Sequence, residues 1–144
     1  MRKTLLGAIA FMAMFAGSAA HAATLTVFKS PSCGCCAKWV EHVEQHGFKV
    51  TAVPTDDMMT LKKRLGVPEE AISCHTTKVG NYIVEGHVPA ADIKRLLAQK
   101  PKARGIAVAG MPMGSPGMEL GGQRQPYATI LIGIDGKTSI FARH

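Results

Sequence analysis

The stretch Thr24-Leu25-Thr26-Val27-Phe28-Lys29-Ser30-Pro31-Ser32-Cys33-Gly34-Cys35-Cys36 places a Cys-x-x-Cys pair between two different hydrophobic patterns. Residues 23–29 are rich in β-forming side chains, which predicts a strand that Ser30-Pro31-Ser32 interrupts. Residues 35–46 repeat apolar side chains at helical spacing, and Gly47 ends the repeat. Thiols at such a strand–helix junction lie at a helix N-terminus, where the helix dipole stabilises thiolate.

The rest of the chain alternates predicted strands and helices. A strand is predicted at 48–53, and a short helix capped by Asp56-Asp57 runs through Leu65. Strands 76–79 and 82–84 form a hairpin around Gly80-Asn81, and a third helix covers 90–99. Residues 105–125 carry six glycines and two prolines, which predicts a long loop and not a central strand. Two last strands, 128–134 and 138–143, form a hairpin around Asp135-Gly136.

This order, βαβα followed by ββα, resembles the thioredoxin-like fold. We therefore expect a single α/β domain with a central mixed sheet flanked by helices, a C-terminal Gly/Met-rich loop and a β-hairpin. Members of that fold usually have a cis-proline before the third strand, facing the dithiol. Ser73-Cys74-His75-Thr76 occupies that position here. Cys74 and His75 are thus expected beside the other cysteines, which favours a metal site over a peptide-binding redox site.

The N-terminus has the pattern of a secretory signal peptide. A basic pair, Arg2-Lys3, precedes the apolar run 4–20, and Ala20-His21-Ala22 fits a cleavage site. We predict a signal peptide at 1–22 and one domain at 23–144. The protein would be exported and hold no membrane contact after cleavage, with an uncleaved anchor as the alternative.

The composition argues against nucleic-acid binding. The net charge is +7, but the basic residues are scattered, and aromatic residues make up 6% of the chain. Few aromatic side chains are available to stack on nucleobases, so the positive charge is better explained by solubility. The sequence also has no arrangement of serine, histidine and carboxylates that predicts acid–base catalysis.

The four cysteines are the strongest functional signal. Cys33, Cys35 and Cys36 fall within four residues, and Cys74 is the fourth. Bare thiolates so close together would repel one another, and a soft cation removes that penalty. Crowding disfavours tetrahedral zinc and export disfavours iron–sulfur clusters, so copper is the expected ion. A catalytic dithiol stays open, as do two disulfides such as Cys33–Cys36 with Cys35–Cys74.

Methionines and histidines supply further candidate ligands. The methionine loop, residues 111–118, contains Met111, Met113 and Met118, whose thioethers suit Cu(I); packing against the core is the alternative. His75 follows Cys74 and is expected to be a ligand or an orienting residue. A satisfied or solvated ring is expected for His87.

The remaining histidines of the predicted mature chain give weaker signals. His42 and His46 are expected on a solvated helix flank, although their spacing is compatible with a metal. His144 is expected to be mobile, because it ends the chain.

Together these motifs resemble the periplasmic copper-resistance proteins called CopG. The resemblance rests on Cys33-Gly34-Cys35-Cys36 before Trp39, Ser73-Cys74-His75-Thr76, Glu85-Gly86-His87-Val88-Pro89-Ala90 and residues 110–119. It implies that the cysteines bind copper in a site that can hold more than one copper ion. It also implies Cu(I)/Cu(II) redox activity and a role in copper resistance. The expected partners are copper ions and either other periplasmic copper-handling proteins or an electron partner. A thiol–disulfide oxidoreductase and a passive copper carrier are the alternative functions.

Overall fold

Residues 22–144, which this computed structural model describes, form seven β-strands and three α-helices. In chain order these are β1 (Thr24–Lys29), α1 (Gly34–Gln45), β2 (Lys49–Pro54), α2 (Met58–Leu65), β3 (Thr76–Val79), β4 (Tyr82–Glu85), α3 (Ala90–Gln99), β5 (Ala103–Ala107), β6 (Ala128–Gly133) and β7 (Thr138–Arg143), with a 3₁₀ turn at Glu69–Ala71. The predicted helices and hairpins are present, and their bounds differ from the predicted ones by only a few residues.

The strands make one mixed sheet in the order β2-β1-β3-β4-β5-β6-β7. β1 pairs with β2 in parallel, as does β4 with β5, and the other pairs are antiparallel. This confirms the expected central mixed sheet flanked by helices. Phe28 near the end of β1 pairs with Thr76 at the start of β3. The sheet therefore brings the segment before β3 next to the segment that leads into α1.

The prediction of a loop from residue 105 onward was wrong at its start. β5 lies between β4 and β6, where Gly105 pairs with Ile83 and with Ile132. A Cβ atom at Gly105 would clash with the backbone carbonyl of Ile83. Glycine therefore marks a close approach of two strands here and not the end of regular structure.

The core fixes α1 against the sheet. Trp39 and Val43 are fully buried and belong to the same apolar cluster as Leu25 and Val27 of β1. The indole Nε1 of Trp39 donates to the carbonyl of Val88 at 2.9 Å, so the one polar atom of the ring is satisfied. Replacing such a side chain with alanine typically costs about 3–5 kcal/mol. The first turn of α1, which carries the cysteines, is thus held by the core.

The predicted signal peptide, 1–22, falls outside the described residues apart from its last position. Among residues 22–144, the helices are too short and too polar to span a membrane. The C-terminal residue, His144, was predicted to be mobile, but it makes specific contacts. His144 Nε2 lies 2.9 Å from a carboxylate oxygen of Asp92, and its ring stacks on Tyr127. The last residue is thus held to α3 and to the start of β6.

Candidate metal centre

The four cysteines meet where β1 ends and β3 begins. The sulfur atoms of Cys33, Cys35, Cys36 and Cys74 all lie within 4.8 Å of one another. We call these four residues the cysteine cluster. Cys33 is the N-cap of α1, Cys35 and Cys36 lie in its first turn, and Cys74 comes from the segment before β3. Cys36 is buried and the other three are half-buried, so the cluster opens toward solvent on one side.

One disulfide divides the cysteine cluster into two kinds of sulfur. Cys33 is bonded to Cys36, while Cys35 and Cys74 are free thiols. The first bridge of the alternative pairing is therefore present and the second is not. Cys35 Sγ lies 3.4 Å from Cys33 Sγ, and Cys74 Sγ lies 3.6 Å from Cys36 Sγ. A free thiol thus stands at each end of the disulfide.

Two buried imidazoles flank Cys74. His75 Nδ1 lies 3.2 Å from Cys74 Sγ, and His87 Nε2 lies 2.9 Å from the same sulfur. Both rings have no exposed surface. These three side chains form a second group of donor atoms within 4.8 Å of one another, and it shares Cys74 with the cysteine cluster. The predicted place of His75 beside the thiols agrees with this arrangement.

His87 is a candidate ligand that sequence reasoning missed. Its Nδ1 atom donates to the carbonyl of Pro116 at 2.7 Å. A carbonyl only accepts, so Nδ1 carries the proton and the lone pair of Nε2 is directed at Cys74. The ring is satisfied, as expected, but it is buried and not solvated. Thr76 pairs with Glu85 in the β3–β4 hairpin, so the hairpin register carried the signal that residues 74–75 and 86–87 are neighbours.

The protonation states suit a soft cation. Burial lowers the pKa of His75 well below its usual value, with a further contribution from nearby His87, and burial also lowers the pKa of His87. Both imidazoles are therefore neutral near pH 7 and keep a lone pair. Burial and neighbouring Cys35 raise the pKa of the Cys74 thiol to about 12. A metal ion that binds there must displace the thiol proton.

The methionine loop is divided between two cavities. Met111, which is 51% exposed, and Met118 line a cavity of about 450 Å³ together with Cys35. Met113 lines a different cavity, which includes Pro89, Tyr127 and His144. The structure thus places two of the three predicted methionines beside the cysteine cluster, and the third points elsewhere.

Gly117 holds the methionine loop against α1. Its φ is +84°, and a Cβ atom there would lie 2.9 Å from the carbonyl oxygen of Cys35 and from the backbone nitrogen of Trp39. Its N–H donates to a carboxylate oxygen of Glu119 at 2.7 Å. Only glycine combines this conformation with such a close approach, so the loop path depends on this position.

A buried ion pair supports the segment that carries Cys74 and His75. The Glu85 carboxylate accepts hydrogen bonds from Lys62 Nζ at 2.5 Å, from the Ser73 N–H at 2.8 Å and from the Thr76 hydroxyl at 2.6 Å. Burial raises the pKa of Glu85, and Lys62 opposes that rise. No peptide bond among residues 22–144 is cis. Ser73 and Thr76 lie on either side of Cys74 and His75, so the Glu85 carboxylate holds this segment at both ends.

The other predicted histidine pair, His42 on α1 and His46 at the C-cap of that helix, is already engaged. His42 Nε2 accepts the N–H of Ala90 at 3.2 Å, and His46 Nδ1 donates to the carbonyl of His42 at 2.7 Å. His46 is exposed and His42 is half-buried, so the expected solvated flank holds fully only for His46. The lone pair of His42 Nε2 is thus taken up by the N–H of Ala90 at the start of α3.

The fold and this site define a mixed α/β protein with a cysteine-rich candidate metal centre. Residues 71–118 match the family described as "Protein of unknown function, DUF411". Two solved structures, both named copper resistance protein copG, resemble the whole described domain. Form 2 is 43% identical, covers 85% of this chain and 98% of its own, and has a TM-score of 0.82. Form 1 is 44% identical, covers 84% and 96%, and has a TM-score of 0.80.

No curated protein matches the chain. The identity and coverage of the two copG structures are high enough to assign a family. The chain belongs to the CopG family of copper resistance proteins, which confirms the resemblance of its motifs.

Proposed function

We propose that this protein, with the Cys33–Cys36 disulfide reduced, binds Cu(I) in the periplasm as part of copper resistance, through thiolates of Cys33, Cys35, Cys36 and Cys74. The observation that carries the proposal is the approach of the four sulfurs to within 4.8 Å of one another. Thiolates are soft ligands that select Cu(I), and a sulfur can bridge two ions, so the site has room for more than one. The copper resistance named for both solved relatives supports copper as the ion.

The surrounding side chains have supporting roles in this proposal. His75 is an auxiliary ligand or orients Cys74, since its Nδ1 atom lies 3.2 Å from that sulfur. Met111 and Met118 offer thioethers to an ion that arrives at Cys35, because they line the same cavity. Met113 belongs to the same arm of the chain but reaches the cysteine cluster only if the methionine loop moves.

We also propose export by cleavage of residues 1–22 and a thioredoxin-like class for the fold. The export pattern is a basic start, an apolar run and an Ala-His-Ala site. The fold class is supported by the order β1-α1-β2-α2 followed by β3-β4-α3, with the thiols at the β1–α1 junction. Partners would be copper ions and either other periplasmic copper-handling proteins or an electron partner.

The direct test is copper stoichiometry. Residues 23–144 are reduced, desalted without oxygen and titrated with Cu(I) under a competing chelator. Cys36→Ser is expected to lower the bound copper per chain sharply, because it removes the buried sulfur at the centre of the cysteine cluster. Met59→Leu, which changes an exposed methionine on α2, is the control. Unchanged copper content in folded Cys36→Ser would refute the proposal.

The disulfide favours one second candidate, a thiol–disulfide oxidoreductase. Cys33 and Cys36 are bonded across the Cys-x-x-Cys at the β1–α1 junction, where redox dithiols lie. Such an enzyme would reduce insulin with a dithiol as the electron source, and a copper protein would not. A passive carrier, the third option, would transfer Cu(I) to a chelator without changing the oxidation state of copper.

A further inference from the structure

We propose that Cys33 and Cys36 supply the electrons that reduce Cu(II), and that their disulfide is the product. Two Cu(II) ions take one electron each from this dithiol. The resulting Cu(I) ions stay on two separate donor sets that the disulfide leaves free. This inference rests on the proposed copper function and assigns its electron source.

The first donor set is Cys74 with His75 and His87. Their donor atoms lie within 4.8 Å of one another, and both imidazoles are buried. The His75 Nε2 atom has no hydrogen-bond partner. Burying an imidazole with an unpaired nitrogen costs stability, which points to a role for the ring at its other nitrogen, next to Cys74. One thiolate and two neutral imidazoles make a set that suits Cu(I).

The second donor set is Cys35 with Met111 and Met118. These side chains line one cavity of about 450 Å³ that is open to solvent at Met111. A thiolate with thioethers is a soft set, and thioethers need no deprotonation before they bind. The disulfide leaves Cys35 free, so this set persists after Cys33 and Cys36 are bonded.

The disulfide lies between the two sets. Cys35 Sγ is 3.4 Å from Cys33 Sγ, and Cys74 Sγ is 3.6 Å from Cys36 Sγ. An ion held by either free thiolate is therefore adjacent to a sulfur that gives up an electron. Because one ligand sulfur lies beside each half of the Cys33–Cys36 pair, formation of the single disulfide can reduce two copper ions, one at each end.

The reaction balances without any outside reagent. Two thiols and two Cu(II) ions give one disulfide, two Cu(I) ions and two protons. Two S–H bonds break in this step, one S–S bond forms, and the protons go to solvent. Binding of the two Cu(I) ions to the thiolates of Cys35 and Cys74 releases one further proton from each of these thiols. A disulfide is a two-electron couple, so its formation accounts for one electron per copper. A second turnover requires a dithiol reductant that reopens the bond.

The test starts from the fully reduced chain, residues 23–144, under anaerobic conditions. Cu(II) is added, Cu(I) is measured with a chelator specific for that state, and free thiols and disulfides are mapped by mass spectrometry. We expect about two Cu(I) per chain, a loss of two of the four thiols, and a bond between Cys33 and Cys36. Reduction without thiol loss, or a bond between Cys35 and Cys74, would overturn the inference.

Two double variants separate the electron source from the ligands. The Cys33→Ser/Cys36→Ser variant loses the Cu(I) that these two thiolates hold in the fully reduced chain but keeps both donor sets. It is therefore expected to bind added Cu(I) at a lower stoichiometry than reduced wild type and to lose reduction of Cu(II). The Cys35→Ser/Cys74→Ser variant keeps the dithiol but lacks the thiolate of each donor set. It is therefore expected to reduce Cu(II) and then to lose the resulting Cu(I) during gel filtration. If wild-type protein does not bind added Cu(I), the proposed function fails. If it binds Cu(I) but forms no Cys33–Cys36 bond with Cu(II), only this inference fails.

Discussion

His87 and Cys74 are joined by a 2.9 Å contact between Nε2 and Sγ, and the other nitrogen of the ring is fixed by the carbonyl of Pro116. The carbonyl sets the tautomer, and the tautomer directs a lone pair at the thiol. Pro116 belongs to the methionine loop, so one hydrogen bond links the loop to the orientation of a candidate ligand. Outer partners of this kind commonly tune metal sites.

Replacing His87 with glutamine is expected to weaken Cu(I) binding by about 10–100-fold, the range seen when a ligand or its support is lost. The measurement is competition with a chelator of known Cu(I) affinity. His46→Gln is the matched control, because that ring is exposed at the C-cap of α1. Equal affinities of the two variants would show that His87 has only a packing role.

The methionines of the methionine loop line two different cavities, so substitutions can distinguish a role as copper ligand from a role in packing. Met111→Leu with Met118→Leu keeps the volume but removes both thioethers beside Cys35. We expect roughly tenfold weaker Cu(I) binding, or about 1.4 kcal/mol. Met113→Leu, in the other cavity, should leave the affinity unchanged. A similar loss in Met113→Leu would indicate that loop packing matters and sulfur does not.

Two glycines of the loop region isolate the effect of close packing. Gly117 and Gly121 both have positive φ, but only Gly117 faces backbone atoms of α1 at 2.9 Å. Alanine at either position costs about 1–2 kcal/mol for the left-handed conformation. Gly117→Ala should cost more than Gly121→Ala in urea unfolding and should also weaken Cu(I) binding. Equal costs would mean that the loop does not need to lie against Cys35.

Much of the fold follows from local chemistry that the sequence shows directly. Asp57 caps α2 by accepting the N–H of Thr60, and Gly66 ends that helix in a left-handed conformation. Gly80-Asn81 between two β-rich runs predicts the β3–β4 hairpin. The cysteine cluster was predictable for a similar reason, since three of its members fall within four residues of sequence.

The rest depends on contacts between distant segments. β5 is a strand because β4 and β6 pair with it on both sides, and its own composition does not predict one. His87 reaches Cys74 only through the hairpin register. Met113 lines a different cavity from Met111 and Met118, and their common spacing in the sequence does not predict that separation. The sequence left the disulfide pattern open, because bonds among four nearby cysteines depend on side-chain geometry.

Acid is expected to destabilise the metal-free protein through its buried imidazoles. The pKa of His75 is lowered on folding, so the unfolded chain binds more protons as pH falls below about 6.5. The stabilisation is complete above that value and is lost as pH falls toward the folded pKa, at up to about 1.4 kcal/mol per pH unit for such a group.

Urea unfolding between about pH 7.5 and 5.5 checks this dependence. His75→Phe should flatten the loss of stability, because phenylalanine cannot take up a proton. Met59→Leu should not flatten it, since this exposed side chain carries no titratable group. Glu85 contributes with the opposite sign, since its pKa is raised, and it is unchanged in both variants. An unaltered slope in His75→Phe would contradict the assignment.

Lys62 and Glu85 should contribute far more to stability than the exposed pair Lys137 and Asp135. Lys62→Met leaves the Glu85 carboxylate buried without its cation, which typically costs about 3–5 kcal/mol. Lys137→Met removes a pair with a 3.8 Å separation at the surface and should change stability by at most about 1 kcal/mol. Adding Glu85→Gln to Lys62→Met should recover part of the loss, because a neutral amide can still accept the Ser73 N–H. Urea unfolding of the variants measures both effects, and a Lys62→Met cost no larger than that of Lys137→Met would show that the pair does not hold the Cys74 segment.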